Sequence, residues 1–210
     1  MDHDGTQKDR GRLRTSPLPG IELTRQEVPS GISLDPTAAS RLCAACGMCC
    51  NGVLFHTVQM QPTDSPRSLS ALGLKLKRKR GQTCLQQPCP AFGDSGCSIY
   101  EARPVRCRLF ECHQLKRLTA AEITEESALS TIQGARQQVT GIVALLEKLG
   151  GANSKHPLSK RWKAVLAIPM DSSTDPTWVA DRDQLLRAIH ELNALLDREF
   201  RIVPVGDTQF

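Results

Sequence analysis

The stretch Cys43-Ala-Ala-Cys46-Gly-Met-Cys49-Cys50 decides how this chain is interpreted, because four of its eight residues are cysteines. Two C-x2-C steps share Cys46, and a fourth cysteine follows Cys49 directly. A C-x2-C step lets the chain turn so that two thiolates face one ion. Gly47 suits such a turn, since glycine tolerates a positive φ. Backbone N–H groups in so tight a loop can point at sulfur and stabilise its charge. The spacing therefore predicts a metal-binding loop.

A second set of five cysteines begins after a gap of 33 residues, and all nine cysteines fall within a third of the chain. A loop of that length adds little entropic cost once metal holds its ends, and metal shared by both halves would add to the folding free energy. Free buried thiols would not need C-x2-C spacing. The candidate metal ligands are therefore Cys43, Cys46, Cys49, Cys50, Cys84, Cys89, Cys97, Cys107 and Cys112.

The first ten residues of the sequence are polar and contain no apolar stretch typical of a signal peptide. No segment reaches the roughly 20 apolar residues that cross a bilayer. We therefore expect a cytoplasmic protein without a membrane partner. Reducing conditions there disfavour disulfides, the cysteine count is odd, and a bridge between adjacent Cys49 and Cys50 would strain the backbone. These points favour metal over disulfides.

Charge and composition add three expectations. The formal net charge of +5 is modest for 210 residues, so we expect an ordinary surface and not a nucleic-acid partner. The basic run Lys75-Leu-Lys-Arg-Lys-Arg80 lacks interleaved aromatic residues for base stacking, and we interpret it as a solvated loop, with contact to phosphate or an acidic partner as the alternative. Aromatic residues make up only 4% of the chain, which favours a staple such as metal in a compact segment.

The pattern along the chain predicts three parts: a flexible leader over residues 1–39, a cysteine-cluster metal-binding domain over 40–115, and a helical C-terminal region over 116–210. The expected fold class is α+β, with a small, irregular, metal-stapled module followed by an α-helical hairpin tail. Within the module, we expect a short strand inside 53–60, and over 65–80 one short helix followed by a loop.

The C-terminal region shows two helical patterns. The segment 119–122 matches a capping box and predicts a helix start, an apolar stripe runs over 129–149, and Gly150-Gly151 predicts the stop. A second helix is predicted from Asp175, with proline at the first helical position. We expect these two helices to pack as an antiparallel hairpin. The apolar segment 162–168 between them is left without an assigned type.

The cysteine pattern resembles the YkgJ-type cysteine-cluster family, whose members are described as zinc- or iron-chelating. The segment Cys97-Ser-Ile-Tyr-Glu-Ala-Arg-Pro-Val-Arg-Cys107-Arg-Leu-Phe110 is similar to that family's C-x-I-Y-x-x-R-P-x-x-C-R-x-F pattern. The resemblance covers residues 43 to about 112 and implies a small metal-binding domain, mostly without an assigned biochemical role. The residues that match by position are Cys43, Cys46, Cys49, Cys50, Cys84, Cys97 and Cys107, while Cys89 and Cys112 match less closely.

Iron–sulfur is the preferred cofactor, and zinc is the alternative. The candidate ligands are all cysteines, Cys43, Cys46 and Cys49 have ferredoxin-like spacing, and Cys89-Pro90 resembles the Cys-Pro of a remote ligand. Tetrahedral four-cysteine zinc sites use the same steps. Nine cysteines exceed one four-ligand site, so two sites, or one site with spare thiols, both stay open.

The histidines and arginines near the cysteines are not counted as metal ligands. We take His56 and His113 as ordinary histidines and not as ligands. Arg103, Arg106 and Arg108 around Cys107 are expected to neutralise an anionic metal–thiolate centre, with an anion site as the alternative.

The expected function is a metal-binding protein whose centre is structural or transfers electrons. A metal-dependent modifying enzyme, and a metal chaperone or sensor, are the alternatives. No catalytic residue is assigned, since no nucleotide loop, Ser-His-Asp set or pair of carboxylates stands out. A protein partner is left open.

Overall fold

A computed structural model describes residue 1, residues 36–151 and residues 153–202. Its helices are α1 (Pro36–Cys46), α2 (Pro66–Ala71), α3 (Val105–Leu109), α4 (His113–Thr119), α5 (Glu125–Lys148), α6 (Leu158–Leu166) and α7 (Pro176–Glu199), and a 3-10 turn spans Tyr100–Ala102. Its strands are β1 (Thr57–Gln59), β2 (Leu76–Lys79), β3 (Gln82–Gln86), β4 (Phe92–Gly93) and β5 (Gly96–Cys97). The predicted α+β class is confirmed.

The leader predicted over residues 1–39 lies mostly outside the described residues. Helix α1 begins at Pro36, inside the last four predicted leader positions. The division into leader, cysteine module and helical region stays a prediction about domains.

The larger sheet has the antiparallel strand order β1-β3-β2. In its register, Cys84 of β3 lies between Gln59 of β1 and Lys77 of β2. The loop predicted over the basic run is wrong, since residues 76–79 form the edge strand β2. A tight turn at Arg80 and Gly81, both at positive φ, returns the chain into β3. Lysines on an edge strand also discourage pairing with another chain.

Helix α5 starts later than predicted. The capping box over 119–122 is wrong because Thr119 is the last residue of α4, and its hydroxyl donates to the Leu115 carbonyl at 2.8 Å. Ala121 at φ +55° interrupts any continuous helix. Thr124 is the real N-cap, and its hydroxyl oxygen accepts the Ser127 N–H at 3.2 Å.

The predicted end of the first C-terminal helix and the predicted start of the second are both confirmed, and the unassigned segment between them is helical. Helix α5 ends at Lys148, just before Gly150 at φ +83°. Helix α7 begins with proline, and the Asp175 carboxylate accepts the Thr177 N–H at 2.8 Å. The apolar segment 162–168 falls largely within α6, which buries Trp162.

Helices α5 and α7 make the main helix–helix packing, and α1 packs on α5. We call the cluster of buried side chains between them the large core. Its members include Leu42, Met48, Leu54, Ile132, Ala135, Ile142, Leu146, Leu185, Leu192, Leu196 and Phe200. Burying each large aliphatic or aromatic side chain contributes roughly 1.5–3 kcal/mol. The loop after α1 therefore shares its core with the C-terminal helices.

A separate cluster, the small core, lies against the sheet. Its buried members among the described residues are Leu69, Leu74, Leu85 and Ala91. Among the described residues, no helix has the length and apolar character needed to cross a bilayer.

Candidate metal centre

The turn that carries the first cysteines is built around Gly47. Its N–H donates to the Cys43 carbonyl at 3.1 Å, and its own carbonyl accepts the Cys50 N–H at 2.8 Å. The backbone has φ +63°, as the sequence predicts. A Cβ added there would lie 2.1 Å from a ring carbon of Phe92. Both the conformation and the close approach of that ring therefore require glycine.

The second half of the cysteine set returns to this turn. The Cys89 N–H donates to the Cys50 carbonyl at 2.7 Å, across the 33-residue gap. Phe92, which covers Gly47, pairs in register with Cys97 of β5. Beyond β5, the Ser40 and Tyr100 hydroxyls share a hydrogen bond of 2.5 Å that joins α1 to the 3-10 turn. Thus the two cysteine stretches converge, as predicted.

One cavity of about 630 Å³ lies at this convergence. Its wall also contains Tyr100, Arg103, Arg106 and Phe110, the last of which stacks edge-on against Phe55 with ring centroids 5.0 Å apart. Seven cysteines line the cavity: Cys43, Cys46, Cys49, Cys50, Cys97, Cys107 and Cys112.

Cys46, Cys49, Cys112 and Cys43 all have raised thiol pKa values. Burial raises the pKa of Cys49 well above its usual value, and charge on Cys46, Cys112, Cys50 and Cys43 raises it further. Burial likewise raises the pKa of Cys46 to about 12, with Cys112 and Cys43 adding to the effect. We call these four residues the first thiol group.

The remaining cavity cysteines act with Cys89. Burial raises the pKa of Cys50 to about 12, and charges on Cys89, Cys107 and Cys97 contribute next. Burial raises the pKa of Cys107 to about 11, and Cys89 is again the first of its charged neighbours. We call Cys50, Cys89, Cys97 and Cys107 the second thiol group.

Backbone N–H groups near several of these sulfurs favour the thiolate. Burial raises the pKa of Cys112, and the nearby N–H groups of Leu115 and Gln114 partly offset that rise. The N–H of Met48 acts in the same way on the pKa of Cys46, and those of Ala91 and Phe92 on the pKa of Cys89. Such N–H donors stabilise metal-bound thiolates. The donor chemistry, soft sulfur with backbone N–H groups, fits iron–sulfur clusters and zinc alike.

The thiols surround one cavity but do not have the geometry of a preformed metal site. Among the described residues, no three Cys, His, Asp or Glu side chains are already placed to hold a metal ion. Four sulfurs bound tetrahedrally at about 2.3 Å lie about 3.8 Å from one another. Binding therefore requires the side chains of a group to draw together around the metal.

Arg103 faces both thiol groups. Its Nε donates to the Tyr100 carbonyl at 2.8 Å, and its guanidinium lies 3.5 Å from the centre of the Tyr100 ring. Its positive charge opposes the burial that raises the pKa values of Cys43 and Cys107. The expected neutralising role therefore applies best to Arg103. Arg106 lines the cavity, and Arg108 is exposed.

Three sequence candidates lie apart from these groups. Cys84 is buried in β3, where its thiol faces the Gln82 carbonyl at 4.0 Å, and it does not line the cavity. His113 Nδ1 bonds the Arg198 carbonyl at 3.0 Å, and His56 bonds the Ser159 hydroxyl. Both histidines are thus engaged by the protein.

Sequence reasoning missed the role of Phe92. Its position gives no local signal, since it lies outside the matched C-x-I-Y segment. Its place is set by the β4–β5 hairpin, which lays the ring on Gly47. The turn alone accounted for Gly47 in the sequence, so nothing there indicated that an aromatic ring approaches it.

Residues 42–129 match the model of a family described as "CxxCxxCC: Putative zinc- or iron-chelating domain". The match confirms the resemblance drawn from the cysteine pattern and includes all nine cysteines. It covers less than half of the chain and ends within α5. No curated protein and no solved structure matches the chain. The matched segment is thus similar to a domain described as chelating zinc or iron.

Proposed function

We propose that this protein, with its CxxCxxCC-type segment, binds iron–sulfur clusters and transfers electrons through them. The observation that carries the proposal is the wall of the 630 Å³ cavity, where seven cysteines face one space. A structural zinc ion held by four thiolates makes a closed site around a single small ion. A polynuclear cluster places several iron atoms and sulfides between its cysteines, and a cavity of this size suits it better.

The surroundings of the cavity suit electron transfer. Cys43 lines the cavity and is also exposed, which offers a redox partner an approach to the centre. Arg103 places positive charge beside both thiol groups. Charge and hydrogen bonds to sulfur tune the potential of such clusters, and positive charge favours the reduced state.

The proposal also includes a reducing compartment such as the cytoplasm. All nine cysteines are free thiols. Disulfides are rare where thiol reductants are present, and a cysteine must be reduced and deprotonated to bind iron.

The test is anaerobic reconstitution with ferrous iron and sulfide, followed by metal and acid-labile sulfide analysis. We expect brown protein with equal amounts of iron and sulfide, and an absorption band that dithionite bleaches reversibly. The double variant Cys46→Ala/Cys50→Ala removes one thiol from each group and is the negative control. A colourless protein that takes zinc and refuses sulfide would overturn the proposal.

Structural zinc binding is the second candidate, since the family description names zinc beside iron. The C-x2-C steps around Gly47 serve a four-thiolate zinc site equally well. A zinc protein would remain colourless and redox-inactive, and stripping the metal would unfold the cysteine region.

A further inference from the structure

The two thiol groups attach to different parts of the fold. Cys46 and Cys49 pack against the large core between the helices. Cys89 and Cys107 pack against the small core at the sheet. The two groups are therefore anchored to different cores.

Cys112 belongs with the helices despite its distance from α1 in sequence. It is the N-cap residue of α4, which packs on α5. The next residue, His113, donates its N–H to the carbonyl of Phe200, a fully buried member of the large core. Cys112 is therefore held on the same side as Cys46 and Cys49.

Cys50 belongs with the sheet despite following Cys49 directly. Its carbonyl accepts the Cys89 N–H at 2.7 Å. Cys97 joins them through β4–β5, since the Phe92 N–H donates to the Cys89 carbonyl at 3.2 Å and Phe92 pairs with Cys97.

The adjacent cysteines Cys49 and Cys50 are thus held by different parts of the fold. Cys49 packs against the large core, whereas the Cys50 carbonyl accepts the Cys89 N–H. Cys43 lies on the same helix, α1, as Cys46.

We infer that the chain holds two separate four-thiolate sites, an inference that rests on the proposed metal binding. Site 1 is the first thiol group and site 2 is the second thiol group, and Cys84 is a ligand of neither. Cys49 and Cys50 make the two sites immediate neighbours, because their Cα atoms are joined by one peptide and lie about 3.8 Å apart.

The test compares three single variants of the full chain after anaerobic reconstitution with iron and sulfide. Cys112→Ala removes a ligand of site 1, Cys97→Ala removes a ligand of site 2, and Cys84→Ala is the matched control. We expect each of the first two to lose about half of the bound iron and sulfide. The control should keep the full amount, and Cys112→Ala/Cys97→Ala should lose both clusters.

Total loss of iron from either single variant, with helical circular dichroism intact, would overturn the two-site inference and leave the iron–sulfur proposal standing. Half loss from Cys84→Ala would also overturn it. The wild-type count needs no variant: two clusters per chain are expected, and one cluster contradicts the inference. If the wild type takes zinc and no sulfide, the proposed cluster fails, and two zinc ions per chain would still support two sites.

Discussion

The helical side and the sheet side of the molecule differ in how they are held together. Within the part of the chain that the structure describes, the large core has 20 buried members, whereas the small core has four. Those of the large core come from α1, α4, α5, α6, α7 and the loop after α1. A core that small contributes only a few kcal/mol, and such segments depend on staples such as metal. From this difference we expect metal binding to stabilise the sheet side strongly and the helical side little.

Removing the metal should give the largest effect and test this difference directly. After treatment with a chelator, we expect the amides of β1, β2 and β3 to exchange rapidly, because the small core cannot hold the sheet alone. Amides of α5 and α7 should stay protected. Hydrogen–deuterium exchange resolved by segment measures both in one experiment, and equal loss of protection on the two sides would contradict the comparison.

Truncating a side chain of the large core should destabilise the protein whether or not metal is bound. Leu192 is fully buried in α7, so Leu192→Ala should lower the unfolding free energy by about 2–5 kcal/mol in urea titrations. Leu186→Ala on the same helix is the control, since Leu186 is 42% exposed and should change stability little. A lower unfolding free energy of Leu192→Ala seen only in metal-free protein would argue against an independent helical core.

Gly47 lies where the two sides meet, and Gly47→Ala tests the junction. The added Cβ would clash with Phe92, and the alanine would have to keep a backbone φ of +63°. We therefore expect the free energy of unfolding to fall by about 1–3 kcal/mol and metal retention to weaken. Gly73→Ala is the matched control, because Gly73 has φ +83° but nothing within 4 Å of the added Cβ. Equal effects of the two variants on metal retention would show that the Phe92 contact is unimportant.

The smallest effect expected is a dependence on alkaline pH confined to the metal-free protein. Burial raises the pKa values of Cys46 and Cys50 to about 12, so the folded state keeps protons that the unfolded chain loses near pH 9. The stabilising contribution is present below about pH 9 and is lost as the pH rises toward 12, by about 1 kcal/mol per thiol and pH unit. Urea titrations from pH 7 to 10 with reductant measure it, and metal-loaded protein should lack this loss because its thiolates are already ligated.

Local patterns in the sequence predicted the features that local physics controls. The turn at Gly47, the end of α5 before Gly150 and the start of α7 at Asp175 each depend on a few neighbouring residues. The capping box at Thr119 failed because the same residue types also suit a helix end, and the turn through Ala121 is set by packing of α4 on α5.

The arrangement of the thiols depends on tertiary contacts and could not be predicted. Sequence spacing groups Cys50 with the first cysteines and Cys112 with the last ones. The fold reverses both, through the Cys50–Cys89 backbone bond and the anchoring of His113 by Phe200. The strand over the basic run was missed for a related reason. Leu76 packs on the small core, but the other three residues of β2 are basic and exposed. The alternation of apolar and polar residues that indicates a strand is therefore absent from the sequence.

The hydrogen bond from His113 to Phe200 has a consequence for biosynthesis. Residue 200 leaves the ribosome 87 residues after His113, so the segment carrying Cys112 gains this anchor only after that long stretch has been translated. Thiols near Cys43 emerge long before their partner is in place. A centre that uses both is thus expected to be filled only after Phe200 has emerged, and the early cysteines must stay reduced until then.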